Sequence, residues 1–274
     1  MQWGKVKNIL IAILLAVNLF LLGNFGMKMW QNRQDAQRLA ADVEQLLSGY
    51  GLTLDDAFRL PRDSELPTLS LDRSRADEEN TASAMLGAVT ERIEQEDGTV
   101  RFAGADGTVE WQVDGTVQAD CDTGAETPDG DAAALRLARR LFAAWGLQAE
   151  DAVLTAADGT VTMTGTVAGL PVHNRALSLR FYGTGRAALT GRWSFGTPYT
   201  TVRASGTPCI AADALLDFAA RSEQKGCVLN MTVGYRMQTD SSRRTQLTPT
   251  WKITTDQGEY LVDCAKKTLI EQEE

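Results

Sequence analysis

The chain has a single histidine, His173, in 274 residues. Any Ser-His-Asp or Cys-His mechanism would have to run through that one imidazole, and no G-x-S-x-G elbow accompanies it. Histidine-based metal sites are excluded with it. The four cysteines, Cys121, Cys209, Cys227 and Cys264, form no CxxC pair, which argues against structural zinc. His173 itself lies in Leu170-Pro171-Val172-His173-Asn174-Arg175, where a lone imidazole beside proline reads as a surface turn residue. Negative charge is missing too, but only at one end: no Asp or Glu precedes Asp35.

That acid-free end carries Lys5 and Lys7 and then an apolar run from Ile9 to Met27. Roughly 20 mainly apolar residues suffice to cross a bilayer. A cleaved leader would need an A-x-A-like site just after the run. Gly23-Asn24-Phe25-Gly26-Met27-Lys28 is a poor match, so an uncleaved anchor over residues 8–30 is expected. Trp3 and Trp30 suit the two interfaces. Flanking positive charge is nearly tied, with Lys5 and Lys7 before and Lys28, Arg33 and Arg38 after. The shortness of the leading segment decides for a cytoplasmic head (residues 1–7) and a long outer part. Within the run Ala12, Ala16, Leu19, Gly23 and Gly26 recur at helical spacing on one stripe, flanked by Asn18 and Asn24. Small residues on a stripe let a second helix approach closely. Ala and Gly are also common in membrane helices at large, so both a partner interface and plain composition explain the stripe.

Lys and Arg total 27 and Asp and Glu 36; three of the basic residues and none of the acidic ones fall in the first thirty positions. The outer part therefore holds 24 basic against 36 acidic residues, a balance of −12. Such a surface repels nucleic acid and anionic lipid headgroups. Hydrophobic content of 43% with 23% charged residues fits a folded protein. Four cysteines allow three pairings, and free buried thiols are equally open in a chain long enough to build a core without staples.

Apolar periodicity predicts helices over Gln34–Leu47, Ala132–Trp145 and Ala211–Glu223. The first two share a pattern at an offset of 95 residues: Leu46 to Ala57 aligns with Leu141 to Ala152, each helix ending in an aromatic residue, Gly and Leu. Asp97-Gly98, Asp106-Gly107 and Asp114-Gly115 punctuate an antiparallel meander, and further strands are expected after Asp158-Gly159 and between Val228 and Val262. Residues 60–82, polar with two prolines, read as a long loop. The expected fold is α+β: a single N-terminal transmembrane helix followed by repeated helix-plus-antiparallel-sheet units. The units span 31–128 and 129–274, the latter divisible near 205.

Chemistry is thin. Gly183-Thr184-Gly185-Arg186-Ala187-Ala188 has the spacing of a dinucleotide fingerprint, but strand-like residues follow it where a helix is required, so a hairpin turn is expected. Glu91, Glu94, Glu96 and Asp97 read as the solvated face and end of a strand. No catalytic, cofactor or metal residues are assigned, and the chain reads as no enzyme.

The opening Trp3-Gly4-Lys5-Val6-Lys7-Asn8-Ile9-Leu10-Ile11, with Asn18-Leu19-Phe20-Leu21, resembles the start of YycI family proteins. So do Leu170-Pro171-Val172-His173-Asn174 leading to Gly191-Arg192-Trp193, and Leu247 to Ile253 followed by Gly258 to Asp263. The resemblance implies a Gram-positive, single-pass accessory protein, extracytoplasmic beyond its anchor. Its partners would be the bilayer, a sensor histidine kinase of a two-component system governing cell-wall metabolism, and a YycH-like sister protein. The stripe Ala12, Ala16, Asn18, Leu19, Gly23 and Gly26 would be the helix interface. Two other readings stand beside it: a germination-protein-like binding or inhibitory module on a passive anchor, and a cell-wall enzyme. The four cysteines and the acidic outer part depart from a typical member.

Overall fold

The glycine that ends α1 (helical over residues 42–49) shows how local sequence sets local structure. In the computed structural model, which describes residues 42–147, 152–200, 206–222, 226–240, 242 and 244–270, Gly51 is left-handed at φ 78°. The Leu52 N–H returns to the Leu47 carbonyl at 3.1 Å, and Gly51 N–H to Ser48 O at 3.0 Å. The aligned segment 95 residues on repeats this: Gly146 at φ 71°, Leu147 N–H to Phe142 O at 2.9 Å and Gly146 N–H to Ala143 O at 3.2 Å. These are matching Schellman caps, with Leu52 and Leu147 folded back into the core. The repeated pattern thus encodes a repeated helix end.

The similarity stops there. Strands β1 (Thr53–Leu54), β2 (Ser64–Leu66) and β3 (Leu69–Leu71) follow, then α2 (Arg75–Leu86) and the meander β4 (Val89–Glu94), β5 (Val100–Gly104), β6 (Gly107–Trp111) and β7 (Thr116–Asp122). Helix α3 (Asp131–Ala144) leads to β8 (Val153–Ala157), β9 (Thr160–Val167), β10 (Leu170–Tyr182) and β11 (Arg186–Arg192). After β12 (Thr207–Cys209) and α4 (Ala211–Arg221) come β13 (Cys227–Thr239), β14 (Thr245–Thr255), β15 (Gly258–Asp263) and β16 (Leu269–Ile270).

Fourteen of these strands join one mixed sheet, whose main path runs β16-β15-β14-β13-β10-β11-β7-β6-β5-β4. The expected α+β series of separate helix-plus-sheet units is therefore wrong. The chain is mostly strand, and the sheet runs through without a break: β7 pairs with β11, and β10 with β13. Unpaired edges of separate small sheets would leave rows of backbone donors and acceptors exposed, and joining the sheets satisfies them. The apolar segment 8–30, with its stripe, lies outside the described residues. Among the described residues no helix is long and apolar enough to cross a membrane.

Helices α2 and α3 cover the meander half, where Phe102, Trp111, Val117, Phe142, Trp145, Met163 and Leu189 form one core. Helices α1 and α4 cover β13–β15, with Val43, Leu47, Leu215, Phe218, Trp251 and Ile253 as a second core. Alternating burial on β7, β9 and β11 marks the helix-covered face. The turn at Gly183–Gly185 closes the β10–β11 hairpin, as its strand-like flanks require.

Two readings of the sequence are corrected. Leu46, an apolar residue near the end of the helix predicted over Gln34–Leu47, does not face the core but is 52% exposed. Residues 60–82 are not a loop: they contain β2, β3 and the start of α2. That helix begins at Ser74, whose hydroxyl accepts from the Asp77 N–H at 3.3 Å. Its buried side is Glu78, Thr81, Ala82, Met85 and Leu86, correctly spaced for a helix but polar at two of the five positions.

Candidate functional site

Three stretches far apart in sequence meet where the two halves of the sheet join, and β10 is the element that brings them together. Its register against β9 breaks between Pro171 and Ala176. The four intervening side chains are thereby released to other partners. Val172 is fully buried with Leu69, Leu71, Tyr235, Met237 and Leu247 in a third, small core, and it is paired with Tyr235 in parallel.

Asn174 acts as a surrogate backbone. Its Nδ2 donates to the Met237 carbonyl at 2.8 Å, while the Met237 N–H donates to its Oδ1 at 2.7 Å. An amide side chain offers the donor and acceptor of a peptide group, so β13 stays paired where the main chain of β10 turns away. Arg175 lies on the other half. Its Nη2 donates to the Ser194 carbonyl at 3.1 Å, and its guanidinium carbon sits 4.1 Å from the centre of the Trp193 ring. Burial lowers the Arg175 pKa to about 10, so the cation persists at neutral pH. Gly165 on β9 leaves the room this requires: a Cβ there would stand 3.0 Å from Arg175 Cδ and 3.1 Å from the Trp193 ring.

His173 is not a surface turn residue. It lies within β10, with Nε2 3.3 Å from the Thr250 carbonyl of β14. Because a carbonyl only accepts, Nε2 carries a proton. Burial pushes its pKa down to about 4, with Lys252 adding to the effect against Thr250 and Glu259. Unfolded, the imidazole binds a proton near pH 6.5; folded, it does so only near pH 4. The stability linked to His173 is therefore present above pH 6.5 and lost as the pH falls toward 4. Denaturant unfolding between pH 7 and pH 4 will show an acid-side loss, of which His173→Gln removes a share on the order of 2 kcal/mol. An identical pH slope in the variant would refute this.

The other residues singled out by sequence are scattered. Ala12, Ala16, Asn18, Leu19, Gly23 and Gly26 lie outside the described residues. Cys121 is buried in the meander core, its thiol 3.9 Å from the Ala187 carbonyl. Burial pushes the Cys121 thiol up to about 11. Cys227 is half-buried at the start of β13, whereas Cys209 and Cys264 share the α4 core. All four are thiols. Among the described residues no cluster of His, Cys, Asp or Glu could hold a metal ion. An open depression of about 530 Å³ lies between α2 and the end of α3, lined by Asp77, Asn80, Thr81, Trp145 and Phe195. A second, of about 350 Å³, runs beside α3 over Leu154 and Met163.

The sequence reading missed Asn174, Arg175 and the glycines around them, because their partners are distant in the chain. The one signal was indirect: the resemblance picks out residues 170–174, 191–193 and 247–253, of which the first and last touch through His173 and Thr250, while Trp193 meets Arg175 just after the first. No protein-family model matches the chain, and no curated protein matches it. A crystal structure of an uncharacterized protein from Eubacterium rectale is similar at 9% identity, covering 80% of this chain and 88% of its own, with a TM-score of 0.42. That likeness is too distant to carry an argument about fold or function.

Proposed function

We propose that this chain is a membrane-anchored, non-enzymatic regulator of a sensor histidine kinase, in a two-component system controlling cell-wall metabolism. It would be of the YycI type and would act beside a YycH-like sister protein. The observation that carries the reading is the meeting of two of the resembling segments, 170–174 and 247–253, at one joint. His173 of the first segment faces Thr250 of the last, and Arg175, just after the first, stacks on Trp193. A resemblance carried by short motifs far apart in the chain gains weight where two of them touch. The reading also draws on the apolar segment before the folded part. Residues 31–41 lie between Trp30 and the first described residue, and even fully extended they reach roughly 40 Å. A domain tethered so closely suits a partner in the same membrane.

In this reading the kinase contact runs along Ala12, Ala16, Asn18, Leu19, Gly23 and Gly26. Gly23→Leu with Gly26→Leu in the full chain is expected to abolish co-purification with the kinase from detergent-solubilised membranes, because branched side chains hold the helix backbones apart. Association at the wild-type level would defeat the idea.

The depression between α2 and α3 favours a second reading, a binding module on a passive anchor. Exchanging residues 8–30 for an unrelated membrane helix separates the two. Retained function favours the module, and lost function favours the helix contact.

A further inference from the structure

We propose that the free edge of β8, with the groove between β8 and α3, takes up an extended segment of another protein as an added strand, one that presents apolar residues and a carboxylate to the helix. The sheet treats its edges differently. Along β4, Glu91, Arg92 and Glu94 are exposed, and Arg75 and Arg92 both bond to Glu94. The β16 edge is two residues long. Charge and shortness both keep an edge from pairing with other chains. Neither protects β8: Val153-Leu154-Thr155-Ala156-Ala157 has no charged residue and no proline, and Val153 is 57% exposed. Among the described strands it pairs with β9 alone.

The register fixes which main-chain groups are open. Ala157 faces Thr160 across the two-residue turn Asp158-Gly159, both left-handed at φ 52° and 74°. The pair beside such a turn is hydrogen-bonded, and bonded and non-bonded pairs then alternate along the ladder. Thr155 and Val153 therefore turn their main-chain groups to β9, whereas Leu154 and Ala156 turn theirs outward. The side chains of Leu154 and Ala156 are half-buried against the core under α3.

Helix α3 lies along the same edge. Its first residue, Asp131, accepts from the Gly159 N–H at 3.0 Å, while Leu147, beyond its end, lines a groove with Ala152 at the foot of β8. The helix thus runs antiparallel to β8. The groove measures about 350 Å³, the low end of ligand-sized clefts, and is walled by Phe142, Leu147, Leu154 and Met163. Arg139 is the charged residue in its lining, and among the described residues no carboxylate pairs with it. A strand added to β8 places alternate side chains on the groove side. Backbone bonds to Leu154 and Ala156 then supply affinity, and the groove supplies specificity. The guanidinium selects a carboxylate at one of the groove positions. A second copy of β8 fits less well: it brings another Arg139 to the interface and, being uncharged, no acid to meet either.

The test uses the full chain in lipid nanodiscs and a fluorescein-labelled peptide, Thr-Leu-Thr-Glu-Thr-Leu-Thr, whose alternation reads alike in both strand directions. Fluorescence anisotropy should show saturable binding below about 1 mM. Hydrogen exchange should slow at the Leu154 and Ala156 amides and stay unchanged in the β5–β6 hairpin. Ala156→Pro removes one outward donor and spares the ladder with β9, so it should weaken binding about tenfold. Arg139→Glu should weaken it about fivefold and favour the peptide with Lys in place of Glu. No saturable binding, equal binding by either variant, or slowed exchange at other strands instead would overturn the proposal. Protection of Leu154 and Ala156 in the chain alone that disappears on dilution would assign the edge to a second copy and overturn it too. The exchange measurement needs no variant to fold, and no result here depends on whether the chain binds a kinase.

Discussion

Glu78→Ala is expected to lower the folding stability of the chain by about 3–5 kcal/mol. Glu78 is 1% exposed on the inner side of α2, and Arg73 grips its carboxylate twice: Nε to Oε1 at 2.5 Å and Nη2 to Oε2 at 3.0 Å. The guanidinium is itself only 12% exposed. Removing the carboxylate leaves that cation in a poorly solvated site without its counter-charge, and this penalty is larger than the net worth of the pair. Truncation also opens a gap in the contact between α2 and the meander. The double replacement Arg73→Met/Glu78→Leu removes both charges and keeps the volume, so it should recover most of the loss. Denaturant unfolding of the full chain in detergent measures both variants. A loss below about 1 kcal/mol for Glu78→Ala would mean that the pair behaves as a surface ion pair does.

The second large effect is expected at the joint. Gly234 lies on β13 beside the point where β10 crosses to it, and a Cβ there would stand 2.2 Å from the Pro171 carbonyl and 2.9 Å from His173 Nε2. The first contact is with backbone and cannot be relieved by a rotamer change. Gly234→Val must therefore push β10 and β13 apart, at a cost of roughly 3 kcal/mol or more. Direct pairing of these strands is confined to Val172 with Tyr235. The joint consequently depends on Asn174, and the Met237 N–H that it holds reports directly on separation. Hydrogen exchange should show Met237 losing protection in the variant while the β5–β6 hairpin keeps its own. Unchanged protection at Met237 would show that the strands accommodate the side chain.

Elements that bury an apolar stripe were readable from sequence. Helices α3 and α4 lie within a residue or two of the predicted spans because Leu137, Ala138 and Phe142, and Leu215, Phe218 and Ala219, face inward at helical spacing. The Asp-Gly steps marked the hairpins of β4–β7 because each such turn closes through local bonds, as Gly98 N–H to Gln95 O does at 2.9 Å. Helix α2 escaped because two of its inward residues are Glu78 and Thr81. Their suitability for burial depends on Arg73 and on the loop before β5, where Thr99 is buried and Gly98 O faces Arg73 Nη1 at 3.5 Å.

By itself the sequence determined the apolar, acid-free first thirty residues, the paired helix ends at Gly51 and Gly146, and the hairpin meander. Each of these rests on interactions within a few residues of chain. Only the tertiary structure decided that fourteen of the described strands form one sheet and not separate units, that His173 is a half-buried donor, and that Cys209 and Cys264 share one core. Those outcomes depend on non-local pairing between strands such as β10 and β13. It is held by contacts across some sixty residues, such as the Asn174 amide on the Met237 main chain, which no local periodicity records.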